Sequence, residues 1–297
     1  MVVAGKADNK NLVTAIMNLS KNTIGFINGN IVEIPGSFYF DLPEKVLQFG
    51  TGVLLRGLPG YFIDKANKAG IFNGRIVAVK STGAGEPALF AQQDNLYSLC
   101  VRGIYKGQQV SENIINASIS RVLSAANQWS EVMACAANPQ LQVIISNTTE
   151  VGIQLIDDNI FASPPASFPG KLLAFLYRRY KLYHGDVTKG MVIVPTELIP
   201  GNGDLLQSII LELSHIHRLG GKFIDWLENA NYFCNSLVDR IVPGKLNPSL
   251  LAETENHLEY HDDLLITSEA YRLWAIESSS EKTKQVLSFA QADEGVV

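Results

Sequence analysis

Residues 46–57, VLQFGTGVLLRG, decide how the rest of the chain folds. An apolar run ends in Gly50 and Gly52, with Thr51 between them, and passes at once into LLRGLPGYFIDKANKAG, whose apolar residues recur at helical spacing. The pattern predicts a strand, a tight turn and a helix. Gly50 is free to take a positive φ where the strand breaks off, and Gly52 has no Cβ to hold a ligand away from the backbone. Amides at the start of the next helix, with the positive end of its dipole, suit an anion. A dinucleotide pyrophosphate is the anion that this geometry usually holds. The motif is incomplete, since Leu55 stands where G-x-G-x-x-G has its third glycine and Gly57 comes two residues late.

Downstream, buried-strand runs alternate with helical ones, as in a doubly wound α/β domain with a parallel sheet. The strands are RIVAVKST from Arg75, LQVIISNTTEVGI from Leu141 and MVIVPTELIPGNG from Met191. The first ends in Lys80 where NAD-specific folds often carry an acid, so Lys80 is either a contact for the adenosine ribose or a 2′-phosphate, which leaves NAD and NADP both open, or a solvated lysine at a strand end. The second ends in Asn147-Thr148-Thr149-Glu150, which suits either cofactor contact or a helix N-cap with Glu150 in the first turn. Residues 119–138 read as a helix closed by Asn138-Pro139, and KLLAFLYRRYKLY from Lys171 reads as an amphipathic helix with a basic face. DNLYSLCVRGIYK and the run from Gln109 to Ile115 alternate as strands joined at Gly107-Gln108.

At the N-terminus a short helix-like run spans Leu12 to Leu19, and Asn28-Gly29 lies between two β-rich runs as in a hairpin. Beyond Asp204 helices dominate, then a polar linker after Lys245, and residues 265–292 are helical in tendency.

Composition bounds the function. A formal net charge of -5 and a pI of about 5.6 leave no basic face for nucleic acid or anionic membrane, which favours small-molecule partners. Cys100, Cys135 and Cys234 are too few and too widely spaced for a disulfide framework. With no leader-like or membrane-length apolar run, a soluble cytoplasmic protein is expected; the oligomeric state is left open. His215 and His217 do not share a helical face. His257 and His261 are four apart but lack H-E-x-x-H, so no metal site is expected. Glu197, after Pro195-Thr196 at a strand end, is either a base with a raised pKa or a hydrogen-bonded structural carboxylate. Asp239-Arg240 reads equally as an ion pair bracing a loop.

Five ordered blocks, LQFGTGVLLRG, SNTTEVGI, SFPGKLLAFLYRRY, VPTELIPGNGD and NYFCNSLVDRIVPG, together with YHDDLLITSEAYRLWAIE, resemble the mannitol dehydrogenase family of polyol and sugar-acid oxidoreductases. The likeness is greatest to its branch that interconverts altronate and tagaturonate. The resemblance implies an NAD(H)-dependent, metal-independent hydride transfer between a secondary alcohol and a ketone. It places Gly50, Thr51, Gly52 and Arg56 in the phosphate-binding turn and Asn147 with Thr148 near the nicotinamide ribose. Glu197 would lie on the substrate side as a candidate catalytic residue, with Asn235, Asp239 and Arg240 beside the substrate cleft.

The family's proton-transferring Lys-x4-Asn-x2-His is absent from the sequence. In the family it would follow shortly after the position of Val297. The expected organisation is therefore an N-terminal extension with a hairpin (1–34), a Rossmann-type NAD-binding domain (35–245) and the beginning of an α-helical domain (246–297), with little turnover by this chain alone. Mannitol or mannonate (fructuronate) chemistry, or a dinucleotide-binding module without catalysis, are the alternatives.

Overall fold

The structure, a computed structural model, describes residues 17–81, 87–148, 152–278 and 280–297. In chain order the strands are β1 (Met17–Asn18), β2 (Glu44–Phe49), β3 (Arg75–Lys80), β4 (Tyr97–Tyr105), β5 (Gln108–Asn116), β6 (Ile119–Ser124), β7 (Val143–Ser146), β8 (Val192–Pro195), β9 (Tyr232–Phe233), β10 (Ser236–Asp239), β11 (Tyr260–His261), β12 (Ile266–Glu269) and β13 (Leu273–Ile276). The helices are α1 (Val53–Gly57), α2 (Pro59–Lys68), α3 (Pro87–Gln92), α4 (Trp129–Ala134), α5 (Phe168–Leu182), α6 (Asn202–Ile216), α7 (Gly221–Ala230), α8 (Pro248–Leu258) and α9 (Glu281–Val286).

The six-stranded central sheet runs β6-β3-β2-β7-β8-β9 and is parallel throughout. This is the doubly wound order, with its switch point between β2 and β7. Helices or strands cover both faces, which explains the near-continuous Val and Ile runs. Leu47, Phe49, Val77, Val79, Ile144 and Ile193 face one core with residues of α4 to α7. Val46, Ile76, Ala78, Val143, Ile145 and Val194 face the other, with residues of α1, α2, β4 and the C-terminal stretch.

Several local expectations are corrected. Asn28-Gly29 makes no hairpin: Ile24–Phe26 is a 3₁₀ turn, Asn28 O accepts from Ile31 and Val32, and Glu33 bridges in parallel to Ile114. Of residues 12–19 only 17–19 are described; Met17–Asn18 pairs with β11. Residues 119–138 are not one helix, because Ile119–Ser124 forms the edge strand β6 against β3, and the helix starts only at Trp129. The polar linker contains α8, capped by Asn247 on Leu250 N. Residues 265–292 hold two strands before α9. There β12 pairs in parallel with β4, and β13 pairs antiparallel with β10, across the boundary expected at 245. Trp274, Leu287 and Phe289 are buried in the same core as Phe62 and Ile76. The β4–β5 hairpin forms as expected, with Lys106 and Gly107 both at positive φ in its turn.

Candidate functional site

The carboxyl ends of β2, β7 and β8 meet at the switch point. Gly50 has φ +125°, and its amide donates to Val79 O at 2.9 Å. A Cβ there would stand 2.6 Å from Leu55 Cδ1 and 3.1 Å from Asn147 O, so both backbone angle and space require glycine. Gln48, wholly buried in β2, donates from Nε2 to Gly50 O at 3.0 Å. Gly52 has φ −62° and ψ 164°, caps α1, and would meet nothing within 4 Å with an added Cβ. The turn thus presents open space in front of Gly52, beside half-buried Thr51.

Six residues after Gly52, Leu58 leaves helical geometry and Pro59 starts a second helix with no amide to donate. Tyr97 Oη donates to Arg56 O at 2.8 Å and the Arg240 guanidinium donates to Gly57 O, so the junction is held from outside the helix.

Arg56 does not face the turn's open side. Its guanidinium is buried, donates to Leu264 O and lies over the Phe90 and Tyr97 rings. Arg240 likewise turns inward over Tyr61, with Nε and Nη2 donating to Glu269 O, and burial pushes its pKa down to about 10. Asp239, exposed on β10, sits opposite Leu273, and no ion pair joins it to Arg240 among the described residues. Lys80 ends β3 half-buried, and beside it Ser81 Oγ is buried without a hydrogen-bond partner among the described residues.

Glu197 is 2% exposed. Its Oε1 accepts from Thr148 N at 2.8 Å and Thr148 Oγ1 at 2.9 Å, and its Oε2 accepts from Ser146 Oγ at 3.1 Å. Asn147 Nδ2 donates to Thr196 O and Oγ1 at 3.0 and 3.1 Å. Asn202, wholly buried, donates to the carbonyls of Pro195, Glu197 and Ser236. Asn235 accepts the Gly203 and Asp204 amides at the start of α6. Beside these strand ends lies a cavity of about 590 Å³, walled by Glu197, Leu198, Ile199, Asn235, Leu237, Ile276 and Glu277 among others.

The structure therefore gathers Gly50, Gly52, Asn147, Thr148 and Glu197, with Asn235 across the cavity. It does not bring in the Arg56 or Arg240 side chains. Ser146, Thr196 and Asn202 were missed from sequence; the polar run closing each strand was the available signal. Glu150 lies outside the described residues. The histidine pair does not share a helix: His261 belongs to β11, where its Nδ1 meets Glu255 Oε1 at 2.7 Å. No group of three or more metal-ligating side chains occurs among the described residues. Nor, among them, is any helix long and apolar enough to cross a membrane.

A family profile described as the mannitol dehydrogenase Rossmann domain matches residues 44–288. The chain belongs to the mannitol dehydrogenase family. Within that family it is similar to altronate oxidoreductase of Bacillus subtilis (strain 168), 42% identical over 86% of this chain and 53% of the relative. It is also similar to altronate oxidoreductase of Shigella flexneri, 37% identical over 82% and 50%. The chain spans about half the length of the curated relatives it matches. Among solved structures, Pseudomonas fluorescens mannitol 2-dehydrogenase, in ternary complex with NAD and D-mannitol, superposes with TM-score 0.76 at 20% identity, over 89% of this chain and 55% of that one. A D-sorbitol dehydrogenase in substrate-free form gives TM-score 0.72 at 18% identity, over 91% and 58%. These two likenesses establish the family's Rossmann-type fold for this chain.

Proposed function

We propose that the chain binds NAD(H) across the carboxyl ends of β3, β2 and β7 and is the cofactor-binding part of a dehydrogenase interconverting D-altronate and D-tagaturonate. The observation that carries the binding is the Gly50–Gly52 turn at the switch point: it is closed against Asn147 on one side and open in front of Gly52 on the other. That is the cradle a pyrophosphate needs, with the first amides of α1 beside it. The unpartnered Ser81 Oγ at the end of β3 suits an adenosine ribose hydroxyl, with Lys80 adjacent. The residues thus fit the cofactor, which supplies the hydride when bound.

This chain's own residues then have separable tasks. Gly50 and Gly52 admit the phosphates, Asn147 and Thr148 form the edge for the second ribose, and Leu198, Leu237 and Ile276 wall an apolar cavity that limits water. Similarity to altronate oxidoreductases at 37–42% identity supports the sugar-acid substrate. A second reading, a neutral polyol such as mannitol, draws on the cavity lining: among the described residues it holds two glutamates, Glu197 and Glu277, and no lysine, arginine or histidine.

Titration of the purified chain with NADH, followed by cofactor fluorescence, tests the binding. Saturable binding is expected, and its absence removes the proposal. In the whole enzyme, NADH oxidation with tagaturonate well above that with fructose upholds the sugar acid, and the reverse order upholds the polyol.

A further inference from the structure

The Glu197 carboxylate is positioned as an acceptor for three donors, all from the end of β7. Thr148 supplies two of them, at 2.8 and 2.9 Å, and Ser146 Oγ the third, at 3.1 Å. The residue is 2% exposed, and its neighbours Ser146 and Thr196 are 1% exposed each. The same two strand ends are tied again. Thr196 N and Oγ1 donate to Ser146 O at 2.8 and 2.7 Å, and Asn147 Nδ2 returns to Thr196. Asn147 N reaches Phe49 O at 3.1 Å, and Asn147 O stands 3.1 Å from where a Cβ on Gly50 would lie. The stitching thus extends from β8 through β7 to the glycine turn.

In a doubly wound sheet the two mononucleotide halves of a dinucleotide lie on opposite sides of the switch point. The ends of β3 and β6 lie on one side of β2, and the ends of β7 and β8 on the other. We propose that Glu197 is a positioning residue rather than the proton-transferring group: it accepts from Ser146 and Thr148 to fix the β7 edge on which the nicotinamide-side ribose is held. This rests on the dinucleotide reading given above. A carboxylate whose two oxygens are already engaged by three strand-end donors is poorly placed to take a substrate proton. A glutamine at this position keeps the network, because its amide oxygen accepts from Thr148 while its amide nitrogen donates to Ser146 Oγ.

The test compares two ligands of the purified chain. NADH occupies both halves of the site, whereas ADP carries only the adenosine and phosphate part. For Glu197→Ala the affinity for NADH is expected to fall about tenfold or more, and that for ADP by less than about twofold. Glu197→Gln is expected to bind both within about threefold of the parent chain. Ser146→Ala removes the hydroxyl that donates to Glu197 Oε2 and is expected to weaken NADH selectively; it decides the matter if the Glu197→Ala variant does not fold. Equal losses for the two ligands, unchanged NADH binding in the Glu197→Ala variant, or a glutamine variant as impaired as Glu197→Ala overturns the proposal. Failure of the parent chain to bind NADH would instead overturn the dinucleotide reading itself.

Discussion

Gly50 and Gly52 stand two residues apart, yet different physics acts on each. At Gly50 an alanine meets positive φ and the Asn147 carbonyl at 3.1 Å. Gly50→Ala is therefore expected to cost roughly 1–3 kcal/mol in denaturant unfolding, and to weaken NADH binding with it. At Gly52 the backbone is ordinary and the space is open, so Gly52→Ala should leave stability within about 0.5 kcal/mol. Its methyl group would enter the proposed phosphate position, and NADH affinity should fall at least about tenfold. Loss of stability at Gly52 without loss of binding would contradict both arguments. His261 gives a pH signature. Hydrogen bonding to Glu255 raises its pKa above 6.5, so its contribution is complete below pH 6.5 and is lost as pH rises through the folded value. With 38% of the side chain exposed, the effect should stay below about 1 kcal/mol. Unfolding free energies of the parent chain and His261→Gln should differ most below pH 6.5 and converge as pH rises through the folded-state value.

At the scale of elements, the break between α1 and α2 sets how the glycine turn is held. The break at Leu58 leaves the Arg56 and Gly57 carbonyls without helical donors, and Tyr97 from β4 and Arg240 beyond β10 supply them. Tyr97→Phe removes one donor with little change in shape and should lower the unfolding free energy by roughly 1–2 kcal/mol. A cost near zero would mean that the Arg56 carbonyl finds another partner. The C-terminal strands are equally integral. Trp274 on β13 is wholly buried and stacks on Phe62 and Phe289. Trp274→Ala should cost about 3–5 kcal/mol, and Trp274→Phe much less, because the indole Nε1 makes no hydrogen bond to lose.

At the scale of the molecule, the parallel sheet and the C-terminal stretch share one core, since Trp274, Leu287 and Phe289 pack with Leu58, Phe62 and Ile76. Residues 260–297 should therefore unfold together with the sheet. Far-UV circular dichroism and tryptophan fluorescence should report one coincident thermal transition. An earlier, separate loss of the C-terminal strands would show that the shared core is not cooperative.

The sequence by itself determined the doubly wound sheet and its glycine turn. Strands buried on both faces must be runs of Val and Ile, and a turn closed against a neighbouring strand end must have a glycine; both demands are local enough to read in a line of residues. What only the tertiary structure decided were features whose partners lie far along the chain. Ile119–Ser124 is a strand because it borders β3, and Ile266–Glu269 is one because it borders β4. Arg56 and Arg240, read as ligand contacts, hold carbonyls 208 and 183 residues away. Glu197, read from sequence as either a base or a hydrogen-bonded carboxylate, accepts from Thr148, 49 residues earlier. A buried polar side chain must satisfy its hydrogen bonds wherever the fold brings a partner, and in each case that partner came from a distant part of the chain.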